Sequence, residues 1–152
     1  MAESKVGIEA IQYIVVKIGS EQYGIDIKYV DNIVRMQKIT RVPKVQHYFK
    51  GVINLRGEII PVMSLRLKMN QPDDEFTHAT RIIILKMEAQ AAIGVIVDEV
   101  KEVVTLQEDE IEKVFYDAKD EKAGFINGIG KHQGELISLL DLNAVIGEKE
   151  NV

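Results

Sequence analysis

Side chains able to do bond-breaking chemistry are few in this chain, and they are scattered. There is no cysteine, which excludes a thiol nucleophile, a thiolate metal site and a disulfide framework. The histidines are His47, His78 and His132. None stands three or four residues from another or beside a carboxylate at ligand spacing, so no metal site is expected. The serines are Ser4, Ser20, Ser64 and Ser138, and none sits in a Gly-x-Ser-x-Gly elbow. Gly128-Ile129-Gly130 with Gly134 has the look of a dinucleotide loop, but the spacing is wrong and a strand follows where a helix is needed. Carboxylates are plentiful, yet nothing in the sequence pairs two of them across a cleft. No catalytic residue, metal or cofactor is expected, and the chain reads as a non-enzyme.

One side chain is better suited to recognition. Val52 to Leu55 and Ile59 to Met63 are short β-rich runs flanking Arg56-Gly57. Gly57 takes a positive φ at little cost, so this is a tight hairpin turn. The turn lifts Arg56 clear of both strands, and its guanidinium is a rigid, permanently charged fork of donors. Pro61 has no N–H to give to a ladder and must lie at a sheet edge or bulge. A fixed cation beside an incompletely paired strand fits docking of another protein.

The surrounding elements follow from periodicity. Gln12 to Ile18 alternates with both faces partly apolar, and Tyr23, Ile25 and Ile27 alternate after the turn Gly19 to Gln22. Val30, Ile33 and Val34 sit at helical spacing, predicting a short helix over Lys28 to Arg35 capped by Asp26. Ile39 to Val42 is a short β run stopped by Pro43, and Ser64 to Met69 makes one or two helical turns. Asn70 to Glu75 is a polar loop. Thr80 to Lys86, Ile93 to Val97 and Val103 to Leu106 are strands. Thr105 and Glu108 fit a capping box that opens an acidic helix through Ile111 and Val114. Phe125 to Gly130 and Leu136 to Leu140 form a second hairpin. Leu142, Val145 and Ile146 form a last helical face, with Gly147 at its C′ position. Many short strands and three short helices predict barrels or a sandwich. No internal repeat stands out in the residues.

Several of these stretches together resemble the CheW-like family of chemotaxis coupling proteins. They are Gly51-Val52-Ile53-Asn54-Leu55-Arg56-Gly57 with Ile59-Ile60-Pro61-Val62 and Leu65-Arg66; Tyr23-Gly24-Ile25-Asp26-Ile27; Gly94 to Val100; and Gly128-Ile129-Gly130. They stay in order over nearly the whole chain. The resemblance implies a mainly β fold: two intertwined five-stranded β-barrel subdomains with exchanged segments, a few short helices, and a groove where the barrels meet. It implies one domain over 10–148, with 1–9 and 149–152 frayed. It implies an adaptor that couples transmembrane chemoreceptors to the histidine kinase CheA and helps control its activity. Matching positions assign Ile14, Ile27, Val30, Ile33 and Val100 to a groove for the receptor's cytoplasmic tip, and Arg56 to receptor coupling. Ile39, Val42 and Pro43, beside the central hairpin, are the candidates for the regulatory domain of CheA. Two positions depart from the family pattern. Asn32 stands where an acid is common, so it cannot neutralise Arg56, and Ser64 replaces a common Asp ahead of Leu65-Arg66.

Composition bounds the rest. The chain has 152 residues, 46% hydrophobic, enough for one domain with a real core. Met1 to Lys5 leads into no long apolar run, so no signal peptide is expected, and no stretch reaches the roughly 20 apolar residues that span a bilayer. A cytoplasmic protein is expected, recruited to receptor arrays at the inner face of the membrane through partners, with no membrane insertion of its own. Net charge is −5, but Lys28 to Lys68 is strongly basic and Asp98 to Lys122 acidic, which predicts a polarised surface. The basic segment admits one rival reading, a barrel that binds single-stranded nucleic acid. Such grooves stack bases on aromatics, and with no Trp and 6% aromatic residues the adaptor reading is preferred and no nucleic acid partner is expected.

Overall fold

A computed structural model describes residues 10–88, 91–113 and 122–147. The strands are β1 (Ala10–Ile18), β2 (Glu21–Asp26), β3 (Val30–Arg35), β4 (Phe49–Leu55), β5 (Glu58–Ser64), β6 (Arg81–Leu85), β7 (Ile93–Val97), β8 (Glu99–Gln107), β9 (Ile111–Lys113), β10 (Ile126–His132) and β11 (Glu135–Leu140). Two short helices, α1 (Leu65–Lys68) and α2 (Leu142–Ile146), follow β5 and β11. The strands form two sheets. Sheet A is six-stranded in the order β9-β10-β11-β2-β1-β8; sheet B is five-stranded in the order β3-β6-β7-β5-β4. The mainly β, two-subdomain expectation is therefore met. The sheets are curled but not closed by hydrogen bonds into complete barrels, and sheet A carries one strand more than expected. Its two edges, β8 and β9, are joined only by the tight turn Glu108–Glu110. Residues 1–9 and 149–152, expected to fray, lie outside the described residues, as does 148.

The exchange of segments has a simple form. The chain begins in sheet A, leaves it after β2, builds all of sheet B, and returns at β8. Behind this lies an internal repeat that the bare sequence did not reveal. Reading both sheets from the same edge, β8-β1-β2-β11-β10-β9 matches β3-β6-β7-β5-β4, and an isolated bridge from Thr40 to Val52 takes the place of β9. The parallel joints match too: Leu139 pairs with Gly24 in one sheet, Val62 with Gly94 in the other. Both hairpin turns, Arg56-Gly57 and Gln133-Gly134, have positive φ at both central residues, the geometry that suits the twist of a two-residue hairpin. Behind each hairpin the same backbone bond recurs, Ser64 N–H to Tyr48 O and Asp141 N–H to Phe125 O, both 2.8 Å. Each sheet is thus assembled from the first part of one repeat and the last part of the other.

This arrangement buries the central strands on both faces and makes three apolar layers. Tyr13, Val15, Val104, Leu106, Ile137 and Leu139 fill sheet A's concave side. Ile53, Ile60, Val62, Ile82, Ile84 and Ile96 fill that of sheet B. Between the sheets lies the largest cluster, including Ile14, Val16, Ile18, Tyr23 and Ile25 from one side and Met63, Leu65, Ile83, Leu85, Val95 and Val97 from the other. Each such aliphatic side chain stabilises by about 1.5–3 kcal/mol when fully buried. That outweighs the ~0–1 kcal/mol of a surface ion pair, so the middle layer dominates the joint.

Two expected helices are not helices. Over 28–35 there is only a 3-10 turn, Ile27–Tyr29, capped by the Asp26 side chain as expected, and then β3. The misleading period comes from a β-bulge between Val30 and Asn32, which turns Val30 toward the middle layer and Val34 toward the concave side of sheet B. A bulge shifts strand alternation by one residue, and the result imitates helical spacing. Likewise the expected acidic helix is β8 running on to Gln107, then a 3-10 turn boxed by Gln107 and Glu110, then Ile111 in β9; Val114 lies outside the described residues. Gly147 does follow α2, but at φ −64 its role is a backbone N–H to Asn143 O, without the left-handed cap. Pro61 stands one residue before β5 begins its parallel pairing with β7 at Val62, so its missing N–H costs the ladder nothing.

Gly51 is held at φ 142 where β4 bulges, and a Cβ there would collide with the carbonyl oxygen of Thr40. Gly57 at φ 84 faces open space. Gly51→Ala is expected to lose more than about 2 kcal/mol, from strain plus a backbone clash, and Gly57→Ala about 1 kcal/mol from conformation alone. Urea unfolding midpoints measure both; equal losses would contradict this account of Gly51.

Candidate functional site: an apolar groove at the joint of two sheets

The outer strand of each sheet leads to the first surface. In β3, Val30 pairs with Leu85 and Ile33 with Ile83; in β8, Val100 pairs with Val16 and Val103 with Ile14. Cross-strand partners share a face, and Leu85, Ile83, Val16 and Ile14 all belong to the middle layer. The two edge strands therefore turn their apolar residues toward the same layer. At its margin the cover is incomplete. Ile33 is 37% and Val103 50% exposed, and Ile27, Tyr29, Val30 and Val100 are half-buried against the cluster. Ile14 is buried at 4% exposure, a floor rather than a contact surface. Five of the six residues assigned to receptor docking are thus brought to one layer. Arg56 is not: it stands exposed on the β4–β5 turn, which Asn54 pins by accepting the Gly57 N–H at 3.0 Å. Asn32 accepts a hydrogen bond from its neighbour Ile33 N–H at 2.8 Å, and Arg56 makes no ion pair with any described residue. Val103 and Tyr29 are members that sequence reasoning missed. The signal for Val103 was present: Val30-Asp31-Asn32-Ile33-Val34 and Val100-Lys101-Glu102-Val103-Val104 are the same strand of the two repeats, bulged at the same place.

A second surface lies at the end of sheet B. The stretch after β3 crosses that end and is held by Thr40, whose N–H and C=O both bond to Val52 at 2.8 Å. Ile39, half-buried, lines a cleft of about 430 Å³ with Arg41, His47, Phe49, Lys50, Leu67, Asp73 and Phe76. Val42 and Pro43 are exposed beside it and do not line it. Phe76, 51% exposed, comes from the loop after α1 and was not anticipated. Lys50 pairs with Asp73 at 2.7 Å, and this bond from Lys50 chiefly holds the Asp73 carboxyl below its ordinary pKa.

Helix α1 connects the two surfaces. The fully buried Ser64 caps it, accepting the Leu67 N–H at 3.1 Å and donating its own hydroxyl to Asp74 Oδ2 at 2.5 Å. A carboxylate from the loop after α1 is thus tied to the cap. Burial raises the Asp74 pKa against the pull of Ser64 and Lys50, and its Oδ1 has no partner among the described residues. Two residues on, Arg66 grips Asp98 with two bonds, Nη2 to Oδ2 at 2.6 Å and Nε to Oδ1 at 3.1 Å. Burial pushes Asp98 up, but Arg66 and the Gly19 N–H, 2.8 Å from Oδ2, outweigh it and lower its pKa.

Charge divides between the subdomains much as the sequence predicts. Basic residues outnumber acidic ones over 30–97, which builds sheet B. Acidic residues outnumber basic ones in the described remainder.

Comparison with known proteins agrees with this architecture. Residues 12–150 match the family model for the CheW-like domain. The chain belongs to the CheW-like domain family. It is 38% identical over 150 residues to the chemotaxis protein CheW of Bacillus subtilis, covering 99% of this chain and 94% of that one. It is 30% identical to the CheW of Klebsiella aerogenes over 149 residues, 97% and 89% of the two chains. The crystal structure of the scaffolding protein TtCheW from Thermoanaerobacter tengcongensis superposes with a TM-score of 0.82 at 31% identity, covering 90% of this chain and 92% of that one. The chain is a chemotaxis scaffold of the adaptor type, a family of non-enzymes. No helix among the described residues is long and apolar enough to cross a membrane.

The two carboxylates of this region are expected to respond to pH with opposite signs. Asp98 has a lowered folded pKa, so its contribution is present above its unfolded value, about 3.9, and is lost as pH falls through the folded one. Asp98→Asn should cost about 1 kcal/mol at pH 7, the deficit closing in strong acid. Asp74 has a raised folded pKa, so stability is present below its unfolded value and lost as pH rises through the folded one. Asp74→Asn should therefore unfold at higher urea than the parent at pH 7, with the gain gone near pH 3. Urea titrations across that range measure both; a parallel response of the two variants would contradict these assignments.

Proposed function

We propose that this protein couples transmembrane chemoreceptors to the histidine kinase CheA in the cytoplasm, helps control the kinase's activity, and catalyses nothing itself. The observation that carries this reading is the presence of two separate, partly apolar exposed surfaces on one rigid β scaffold. The groove at the joint, with Ile14 and Ile83 as floor and Ile27, Val30, Ile33, Val100 and Val103 as walls, suits an amphipathic helix laid into an apolar groove. The tip of a chemoreceptor is a helical hairpin, and it is the occupant we assign. The end of sheet B, around Ile39, Val42, Pro43 and Phe76, is the surface we assign to the regulatory domain of CheA. Arg56, fixed on its own turn, belongs to receptor coupling.

The mechanism is bivalent. One surface holds the receptor tip and the other the kinase, so the second contact forms at high effective concentration and each interface can be modest. Recruitment to receptor arrays at the inner face of the membrane follows from these contacts, without insertion of this chain. Residues 10–148 act as a single domain in this scheme.

Paired substitutions test it. Ile33→Asp places a charge on the exposed wall of the groove and should weaken capture of a receptor-tip fragment by about tenfold or more, leaving capture of the CheA regulatory domain unchanged. Val42→Asp should do the reverse. Arg56→Ala should reduce kinase control in a reconstituted receptor–kinase assay with no change in melting. If both aspartate variants lost the same partner, or neither lost any, the two-surface scheme would be abandoned.

A further inference from the structure

The two subdomains meet at two junctions that the internal repeat makes equivalent, yet they are built differently. At the first, the chain passes from β7 to β8 through one residue, Asp98. Its carboxylate is gripped by Arg66 of α1, which follows sheet B, and accepts the N–H of Gly19, in the turn between two strands of sheet A. Its backbone N–H also bonds to Lys17 O at 3.1 Å. Two elements, one from each subdomain, thus meet on one carboxylate, and β1 holds its backbone. The pair is well shielded, with 19% and 26% side-chain exposure. The bidentate geometry fixes orientation as well as distance.

At the second junction the chain passes from β2 to β3 through Ile27–Tyr29. Here Lys28 stands two residues before Val30, as Asp98 stands two before Val100. Asn143 is the second residue of α2, as Arg66 is of α1. Lys28 and Asn143 cannot form an ion pair. In place of a clasp there is a cleft of about 170 Å³, lined by Tyr13, Asp26, Tyr29, Met87, Asp141 and Asn143 among others. One junction is locked by charge, and the other, held by a backbone bond from Lys86 N–H to Tyr29 O at 2.9 Å, is open at its side chains. The groove runs between them, with Val100 beside the locked junction and Ile27 and Val30 beside the open one.

The geometry points to Arg66 and Asp98 as positioning residues: their ion pair is the fixed point of the joint between the subdomains, and it holds the angle that sets the width of the groove. Neither residue needs to touch the partner. Apolar contact in the middle layer supplies the adhesion but is non-directional; among the directional contacts between the subdomains, which include a longer bond from Lys68 Nζ to Gly147 O at 3.4 Å, the shielded bidentate pair is the one that fixes orientation. Assigning a receptor tip to the groove rests on the function proposed above; the role of the clasp in fixing the angle does not.

The absence of native cysteine allows a direct test. Spin labels at Lys38→Cys and Glu112→Cys, both exposed and one on each subdomain, should give a single narrow distance distribution in the otherwise unaltered chain. Asp98→Asn and Arg66→Ala should broaden it, Arg66→Lys should restore much of its narrowness, and Lys50→Ala, which breaks an ion pair within one subdomain, should leave it unchanged. Binding of a receptor-tip fragment should weaken roughly 5- to 10-fold in the two broadened variants, while affinity for the CheA regulatory domain holds. An unchanged distribution in folded Asp98→Asn overturns the inference; should that variant not fold, Arg66→Ala decides. If the unaltered chain does not bind the receptor fragment, the proposed function falls and the distances still judge the clasp. Normal binding by broadened variants overturns the link from angle to groove.

Discussion

The structure depends on burying both faces of its central strands. β1, β2, β6 and β7 each send alternate side chains into a concave layer and into the layer between the sheets. Val15 faces one way and Val16 the other; Ile82 and Ile84 oppose Ile83 and Leu85. Neither sheet can satisfy that demand alone. With about 150 residues shared between two small sheets, each would be a marginal domain by itself. Exchange of strands between the repeats makes the middle layer obligatory, because removing one repeat strips strands from both sheets. The consequence for function is rigidity: both surfaces stand on a common core.

That double burial governs how much of the fold was legible. Strands with one dry and one wet face are easy to read by alternation, and strands buried on both faces are recognisable as continuous apolar runs, as at Arg81–Leu85 and Ile93–Val97. The errors fall where alternation is broken. Val30, Ile33 and Val34 imitate a helix because a bulge lies between Val30 and Asn32. The stretch from Thr105 to Ile111 imitates one because a capped 3-10 turn interrupts two strands. The repeat escaped notice for a related reason: its positions are matched by register and backbone bonds more than by identity. Arg56-Gly57-Glu58-Ile59-Ile60 and Gln133-Gly134-Glu135-Leu136-Ile137 are alike only once their turns are superposed.

The groove residues were grouped by family resemblance, not by composition or local pattern. Ile14, Ile27, Val30 and Val100 could be grouped by family resemblance, yet only pairing explains why they converge, since each faces a strand partner in, or itself joins, the middle layer. Long-range contacts of that kind leave no mark in local sequence. Phe76 was invisible for the same reason. Its loop reaches the end of sheet B because Asp74 bonds to Ser64 and Asp73 to Lys50, two side-chain contacts that no pattern of hydrophobic residues encodes. The Ser64 departure from the family pattern lies at the first of these contacts, with a carboxylate from the loop tied to the cap.

A molecule made of two equivalent halves should, on symmetry alone, present equivalent faces and attract equivalent partners. This one does not, because charge and polarity diverge at edges and junctions while the buried layers stay apolar. Gly24 and Gly94 at the parallel joints and Ile137 and Ile60 in the concave layers are identical pairs, where close packing penalises change. At the periphery the halves part company: Arg56 against Gln133 on the hairpin turns, Lys28 against Asp98 at the crossovers, a basic sheet B against an acidic sheet A. Surface substitutions of this kind cost little stability but redirect electrostatic steering and exclude wrong partners. An adaptor needs two faces held in fixed relation that bind different things. Keeping the core of a repeat apolar while differentiating its rim meets that requirement without a second domain, and the price is an asymmetric joint with the Arg66–Asp98 pair at one crossover.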